Sequence, residues 1–308
     1  MRSSLMRWAH NSFQGKKDEM TNSVSAPPLT LTPGAVWVIQ ALLEIELLPH
    51  ILGLNPWVVA EGAPGLEDPG VKTLQERKRD GSGRLGPAVI DETGKVHPAV
   101  ADWFETLAIP DVMLSCLGTA GDVYMAAVLC RRDGRHAAAS RVADEVIVHD
   151  AGQIRGMGDL AQQVMSWIIN PEAPAKAAKF EPITVPTDKF TKALGDVIHR
   201  NRGAAAMFGG LGLTPSQQRI VLAASDRPAR TIGIAATQFN ARGEYVSEAS
   251  VALIETSEGL VVNGPRRGRD KRWWTQIEPA TPAAVERALT SLVESLPTPH
   301  WRNHSRRG

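Results

Sequence analysis

The stretch VMLSCLGTAGDVYMAAVLCRRDGRHAAASRVADEVIVHD, residues 112–150, decides the fold. Its side chains alternate with a period of two, the signature of strands and not of helices. Gly121-Asp122 and Arg132-Asp133-Gly134-Arg135 break the alternation with residues suited to tight hairpin turns. The pattern predicts strands over 111–117, 122–131, 136–143 and 145–149. Links this short can join only antiparallel neighbours.

Outward from this block the period becomes helical on both sides. Pro98–Ala108 reads as a helix closed by Pro110-Asp111, and 157–169 as another, with Leu160, Val164 and Ile168 on one stripe. Further upstream, a short strand Leu29–Leu31 runs into Thr32-Pro33, a cap followed by a residue preset for a first helical turn. Val36, Ile39, Leu42 and Leu43 keep helical spacing, and Pro49 is expected to end that helix. Residues 61–70 and 80–87, rich in Gly and Pro, read as loops.

The second half repeats this order. A strand over 183–185 leads to a helix from Thr187 to about 200, and Thr214-Pro215 opens another to 224. Strands are expected at 230–240, 246–256, 259–264 and 272–277, and a last helix runs from Pro282 to about Ser295. LTLTPGAVWVIQAL (29–42) resembles ITVPTDKFTKAL (183–194), and TLAIPD (106–111) resembles VLAASD (221–226). The fold class is therefore α+β: a duplicated pseudo-two-fold unit with repeats of about 29–180 and 181–308, preceded by a disordered extension over 1–28. One irregular α+β domain is the alternative. Ordered pattern begins near Leu29, so Met20 competes with Met1 as the start.

The bulk numbers exclude several functions. The 308 residues carry a formal charge of +1, which gives no global pull toward nucleic acid or anionic membrane. Two cysteines, Cys116 and Cys130, make no disulfide framework and suit a reducing compartment. No signal-peptide run or membrane-spanning stretch is visible, so a cytoplasmic protein is expected.

The sequence shows no phosphate loop, HExxH, GxSxG or CxxC. Gly156, Gly158 and Ala161 match GxGxxA, but antiparallel hairpins precede them where a dinucleotide site needs a βαβ unit. His300 and His304 are spaced like helical metal ligands, yet Pro297 and Pro299 precede them and no third ligand is near, so a solvated tail is expected. The two cysteines read as small buried thiols. No catalytic group, metal or cofactor is expected.

GPRRGRDKRWW (264–274) sets Arg266, Arg267, Arg269, Lys271 and Arg272 around Asp270, with two tryptophans behind. Basic charge beside aromatics can bind single-stranded nucleic acid. A solvated hairpin tip with Trp273 or Trp274 turned into the core is the plainer reading, and a contact with an acidic protein is a third.

Three further stretches carry a family likeness. They are VWVIQALLEIELLPHILGLNPWV (36–58), VHPAVADWFETLAIPD (96–111) and EPATPAAVERALTSLVESLPTPHWRNHSR (278–306). In their order they resemble the EspG family of type VII (ESX) secretion systems, over about residue 29 to the end. Residues 1–28 and the basic loop do not match the family pattern. The resemblance implies a pseudo-two-fold α+β fold with a central antiparallel sheet flanked by helical bundles. It also implies a cytoplasmic mycobacterial chaperone, not an enzyme. Its partner would be the helical tip of the PPE subunit of PE–PPE heterodimers, kept soluble and directed to the secretion machine. The runner-up function is nucleic-acid binding through 264–274.

The family places the contact on the second-half sheet. Alternation along 230–240 and its neighbouring strand, with the apolar Gly-rich segment AAAMFGGLGL (204–213), selects Phe208, Leu211, Ile234, Ala236, Gln238, Val251 and Leu253 as the expected contact residues. The segment 204–213 reads equally as a buried connection. Which face of the strand meets the partner stays open.

Overall fold

The alternating block forms β2 (Val112–Ala120), β3 (Val123–Arg132), β4 (Arg135–Val142) and β5 (Glu145–Asp150), paired antiparallel in that order. The computed structural model describes residues 27–54, 69–76, 88–168, 175–200, 202–226 and 228–306. The expected N-terminal extension up to residue 26 and the expected loops at 61–68 and 80–87 lie outside the described residues.

β1 (Leu29–Leu31) pairs with β5 and closes the first half of the sheet. The second half contains β6 (Ile183–Pro186), β7 (Arg230–Asn240), β8 (Gly243–Val246), β9 (Val251–Thr256), β10 (Gly259–Arg267) and β11 (Trp273–Pro279). The strand order is β1-β5-β4-β3-β2-β7-β9-β10-β11-β6, with β8 beside β7. Four strands along this path thus stand on each side of the β2–β7 pair. That pair runs antiparallel from Val112↔Gln238 to Ala120↔Arg230, which puts the pseudo-two-fold axis near Cys116 and Ile234.

The helices are α1 (Pro33–Leu42), α2 (Pro69–Lys72), α3 (Pro98–Ala108), α4 (Met157–Ile168), α5 (Thr187–Arg200), α6 (Ala204–Gly209), α7 (Pro215–Ser225) and α8 (Pro282–Glu294). Thr-Pro starts three of them. Thr32 accepts from the Ala35 amide at 3.1 Å, Thr281 from Ala284 at 3.2 Å, and Thr214 from Gln217 at 3.3 Å. The Gln217 side chain returns the bond to the Thr214 amide at 2.9 Å, a capping box. Each such cap contributes on the order of 1 kcal/mol.

The strand alternation sorts side chains into three cores. On one face, Val112, Leu114 and Cys116 of β2, Ile232, Ile234 and Ala236 of β7, and Val251 and Leu253 of β9 pack beneath α4 and α8. α8 seals this face with Val285, Leu289 and Leu292, all fully buried; such side chains each contribute about 1.5–3 kcal/mol. Gly264 permits the close approach, since a Cβ there would meet the Ala288 Cβ at 2.7 Å. The other face carries two separate cores. α1 and α3 cover β3, β4 and β5 with Val36, Ile39, Phe104 and Val128. α5, α6 and α7 cover β6, β10 and β11 with Phe190, Phe208, Ile220 and Val261.

Three local expectations change. The first helix stops at Leu42 and not at Pro49, because Glu44 takes a left-handed φ of 54° and the Ile45 amide bonds back to the Gln40 carbonyl at 2.9 Å. The strand expected over 246–256 is split. Ser247 Oγ accepts the Ala236 amide at 3.1 Å and donates to the Ala249 carbonyl at 2.8 Å, so the chain steps aside between β8 and β9. Lastly, 204–209 is helical, and Phe208 stacks on Phe190 with centroids 6.5 Å apart.

Candidate functional site

The residues expected at the partner contact are, with one exception, buried in the chain itself. Ile234, Ala236, Val251 and Leu253 belong to the core beneath α4 and α8. Phe208 is fully buried in the core under α5 to α7, and Leu211 packs half-exposed against it. Gln238 is a structural clasp: its amide donates to the Thr298 carbonyl at 2.5 Å and accepts from the Thr298 amide at 3.0 Å. Ile234, Ala236, Val251 and Leu253 lie on the face of the sheet that the helices cover. Larger apolar side chains at 232 and 234 turn toward the helices, so the small side chains between them turn outward.

Those outward residues are brought together. Thr231, Gly233 and Ala235 of β7 lie between Thr119, Leu117 and Ser115 of β2 on one side, and Ile254 and Ala252 of β9 on the other. All are partly or fully exposed, and Leu117 keeps 53% of its surface. A Cβ built on Gly233 would meet only the Leu117 carbonyl, at 3.7 Å. The helices packed on β7 are α4 and α8, on the opposite face. The middle of this face is therefore a shallow trough with a floor of small side chains, walled by the two helical cores. The floor is apolar or weakly polar, and none of its side chains carries a charge. Such a surface suits close approach of an apolar element, not chemistry.

The C-terminal segment does not behave as a solvated tail. Trp301 is buried, stacks on His136 with centroids 6.3 Å apart, and donates Nε1–H to His136 Nε2 at 3.2 Å. The buried Arg131 donates to the Arg302 carbonyl at 3.1 Å and to the His304 carbonyl. Its guanidinium lies 3.7 Å from the Asp111 carboxylate. Asp111 also accepts the Arg306 amide at 2.8 Å and the Asp133 amide at 2.9 Å. His304 reaches the Phe239 carbonyl at 2.6 Å. The tail thus ties the start of β2 to the end of β7, where the two repeats join. Burial first, and the Arg131 charge second, hold the His136 pKa down at about 4.

His300 and His304 carry no metal-like constellation. Among the described residues, no group of three or more His, Cys, Asp or Glu side chains is placed to hold a metal ion. Cys116 and Cys130 are free and buried, and burial pushes both thiols far up, so neither is poised as a nucleophile. No helix among the described residues is long and apolar enough to cross a membrane. Trp273 and Trp274 do not enter the core. They stay half-buried at the end of the β10–β11 hairpin.

Comparison with known proteins places this arrangement. The model of the EspG family matches residues 32–291. The chain is 25% identical over 280 residues to the ESX-1 secretion-associated protein EspG1 of Mycobacterium tuberculosis (strain ATCC 25618 / H37Rv), covering 89% of each. It is 23% identical over 305 residues to the ESX-5 secretion-associated protein EspG5 of Mycobacterium marinum (strain ATCC BAA-535 / M), covering 90% of this chain and 97% of that one. Its fold matches the Mycobacterium tuberculosis type VII secretion system chaperone EspG5, solved in complex with a PE25-PPE41 dimer. The TM-score is 0.74 at 20% identity, over 90% of this chain and all of that one.

Proposed function

The chain belongs to the EspG family, and from that premise we propose that it is a cytosolic chaperone which grips the helical tip of the PPE subunit of a PE–PPE heterodimer. It keeps the heterodimer soluble and delivers it to a type VII secretion system. It works by binding and not by catalysis.

The observation that carries this reading is the open trough on the second face of the sheet. A helical tip with exposed apolar side chains needs a receiving surface that is apolar, shaped and uncharged in the middle. Gly233, Ala235 and Ala252 leave room for a partner backbone, and Leu117 offers an exposed apolar contact. The contact therefore uses the face opposite to Ile234, Ala236, Val251 and Leu253. The relative solved with a PE–PPE dimer shares the fold and supports the class of partner.

Co-expression with PE–PPE pairs tests it. A tagged chain should retain at least one pair through size-exclusion chromatography, and that pair should precipitate when expressed without it. A chain that retains none of the pairs from its own genome would contradict the proposal.

A further inference from the structure

The β10–β11 hairpin ends in a charged finger that the sheet does not use. Arg266, Arg267, Arg269, Lys271 and Arg272 are all exposed, and Asp270 is the one acid among them. The finger is ordered by its own bonds. Gly268 donates to the Arg272 carbonyl at 2.9 Å, Lys271 to the Gly268 carbonyl at 3.0 Å, and the Arg272 amide to Asp270 Oδ1 at 3.1 Å. The last ladder pairs are Arg266↔Trp274 and Arg267↔Trp273, so each face of the finger shows one arginine beside one tryptophan. The Arg267 guanidinium lies 5.1 Å from the centre of the Trp273 ring. A cation–π contact of this kind restrains the guanidinium over the ring.

We propose that this finger docks a carboxylate-rich segment of a protein partner, with Arg267, set over the Trp273 ring, making the orienting contact. The charge balance favours a short anion. Five cations against one acid give the finger +4 in a chain of net +1, which leaves −3 on the remainder. A long polyanion would meet repulsion as soon as it left the finger. The aromatic rings argue in the same direction. Arg267 covers Trp273, and Gly268 sits so close to Trp274 that a Cβ there would approach its Nε1 to 2.7 Å. Single-stranded nucleic acid needs free ring faces for stacking, and a lipid interface needs free indoles to insert. Asn263 pairs with Ala252, so the finger begins three residues farther along β10, two strands from β7. Its charged contact goes beyond the apolar one proposed above.

Fluorescence anisotropy on the intact chain decides this, with a labelled Asp/Glu peptide, oligothymidylate, and phosphatidylglycerol-containing vesicles as competing probes. The peptide should bind at low salt and weaken as salt rises. Arg266→Ser, Arg267→Ser and Arg269→Ser together should weaken it about tenfold or more with an unchanged circular dichroism spectrum. Arg267→Lys keeps the charge but loses the fork, and should still cost about threefold. Equal binding by Arg267→Lys and the parent would reduce the finger to bulk charge and overturn the proposal. So would absence of peptide binding, or tighter binding of oligothymidylate or vesicles.

Discussion

His136 is buried against Trp301 and accepts its Nε1–H, so the imidazole must be neutral to keep that bond. Its pKa is about 4 in the folded chain against an ordinary 6.5. Between these values the unfolded chain binds a proton that the folded chain refuses, so stability rises with pH there. The contribution is complete above about pH 6.5 and is lost as pH falls toward 4, on the order of 3 kcal/mol in all. Urea unfolding should show about 2 kcal/mol less stability from this group at pH 5 than at pH 7, and His136→Gln should flatten that slope. Asp111 supports a second prediction. It faces the buried Arg131 at 3.7 Å, so Asp111→Ala leaves a buried cation without its partner and should cost about 3–5 kcal/mol. Neither role was visible beforehand. Asp111 reads in the sequence only as the stop after a helix, because its partners Arg131 and Arg306 are brought to it by the sheet and the tail.

Elements were legible where local chemistry decides them. The Thr-Pro caps at 32–33 and 214–215 start helices as read, Pro282 opens the last one, and the turns at 121–122 and 132–135 join β2 to β3 and β3 to β4. Legibility failed where distant groups decide. Nothing near Glu44 predicts a left-handed residue, and the apolar 204–213 segment cannot announce that Phe208 will stack on Phe190. The tail is the sharpest case. Pro297, Pro299 and polar neighbours read as solvated, yet Trp301 fills a site on His136 and the Thr298 backbone fits the Gln238 amide. Removing residues 297–308 should therefore lower the melting temperature by roughly 5–10 °C, since it exposes that site and strips Arg131 of two carbonyl partners. Differential scanning fluorimetry checks this, and an unchanged transition would mean that the tail is dispensable.

At the scale of the molecule, two halves share one sheet through β2 and β7, with a helix pair packed on one face of its middle. On the other face the helical groups sit over the two wings, and among the described residues no helix packs over the middle. The α+β class and its large antiparallel sheet were readable from the order of elements. The side of the sheet that faces outward was not, because alternation gives two sets of residues and only the placement of α4 and α8 says which set is buried. The central claim, that a partner tip lies on the small-residue floor, rests on that choice of side. Two neighbouring alanines separate the possibilities. Ala236 is fully buried, so Ala236→Arg should fail to fold, whereas Ala235 points into the trough and Ala235→Arg should fold normally. The decisive measurement is retention of the cognate PE–PPE pair by Ala235→Arg, taken with its melting temperature. The account predicts a parent-like melting temperature and at least about a hundredfold loss of affinity. A folded Ala235→Arg chain that retains the pair at full strength would contradict it.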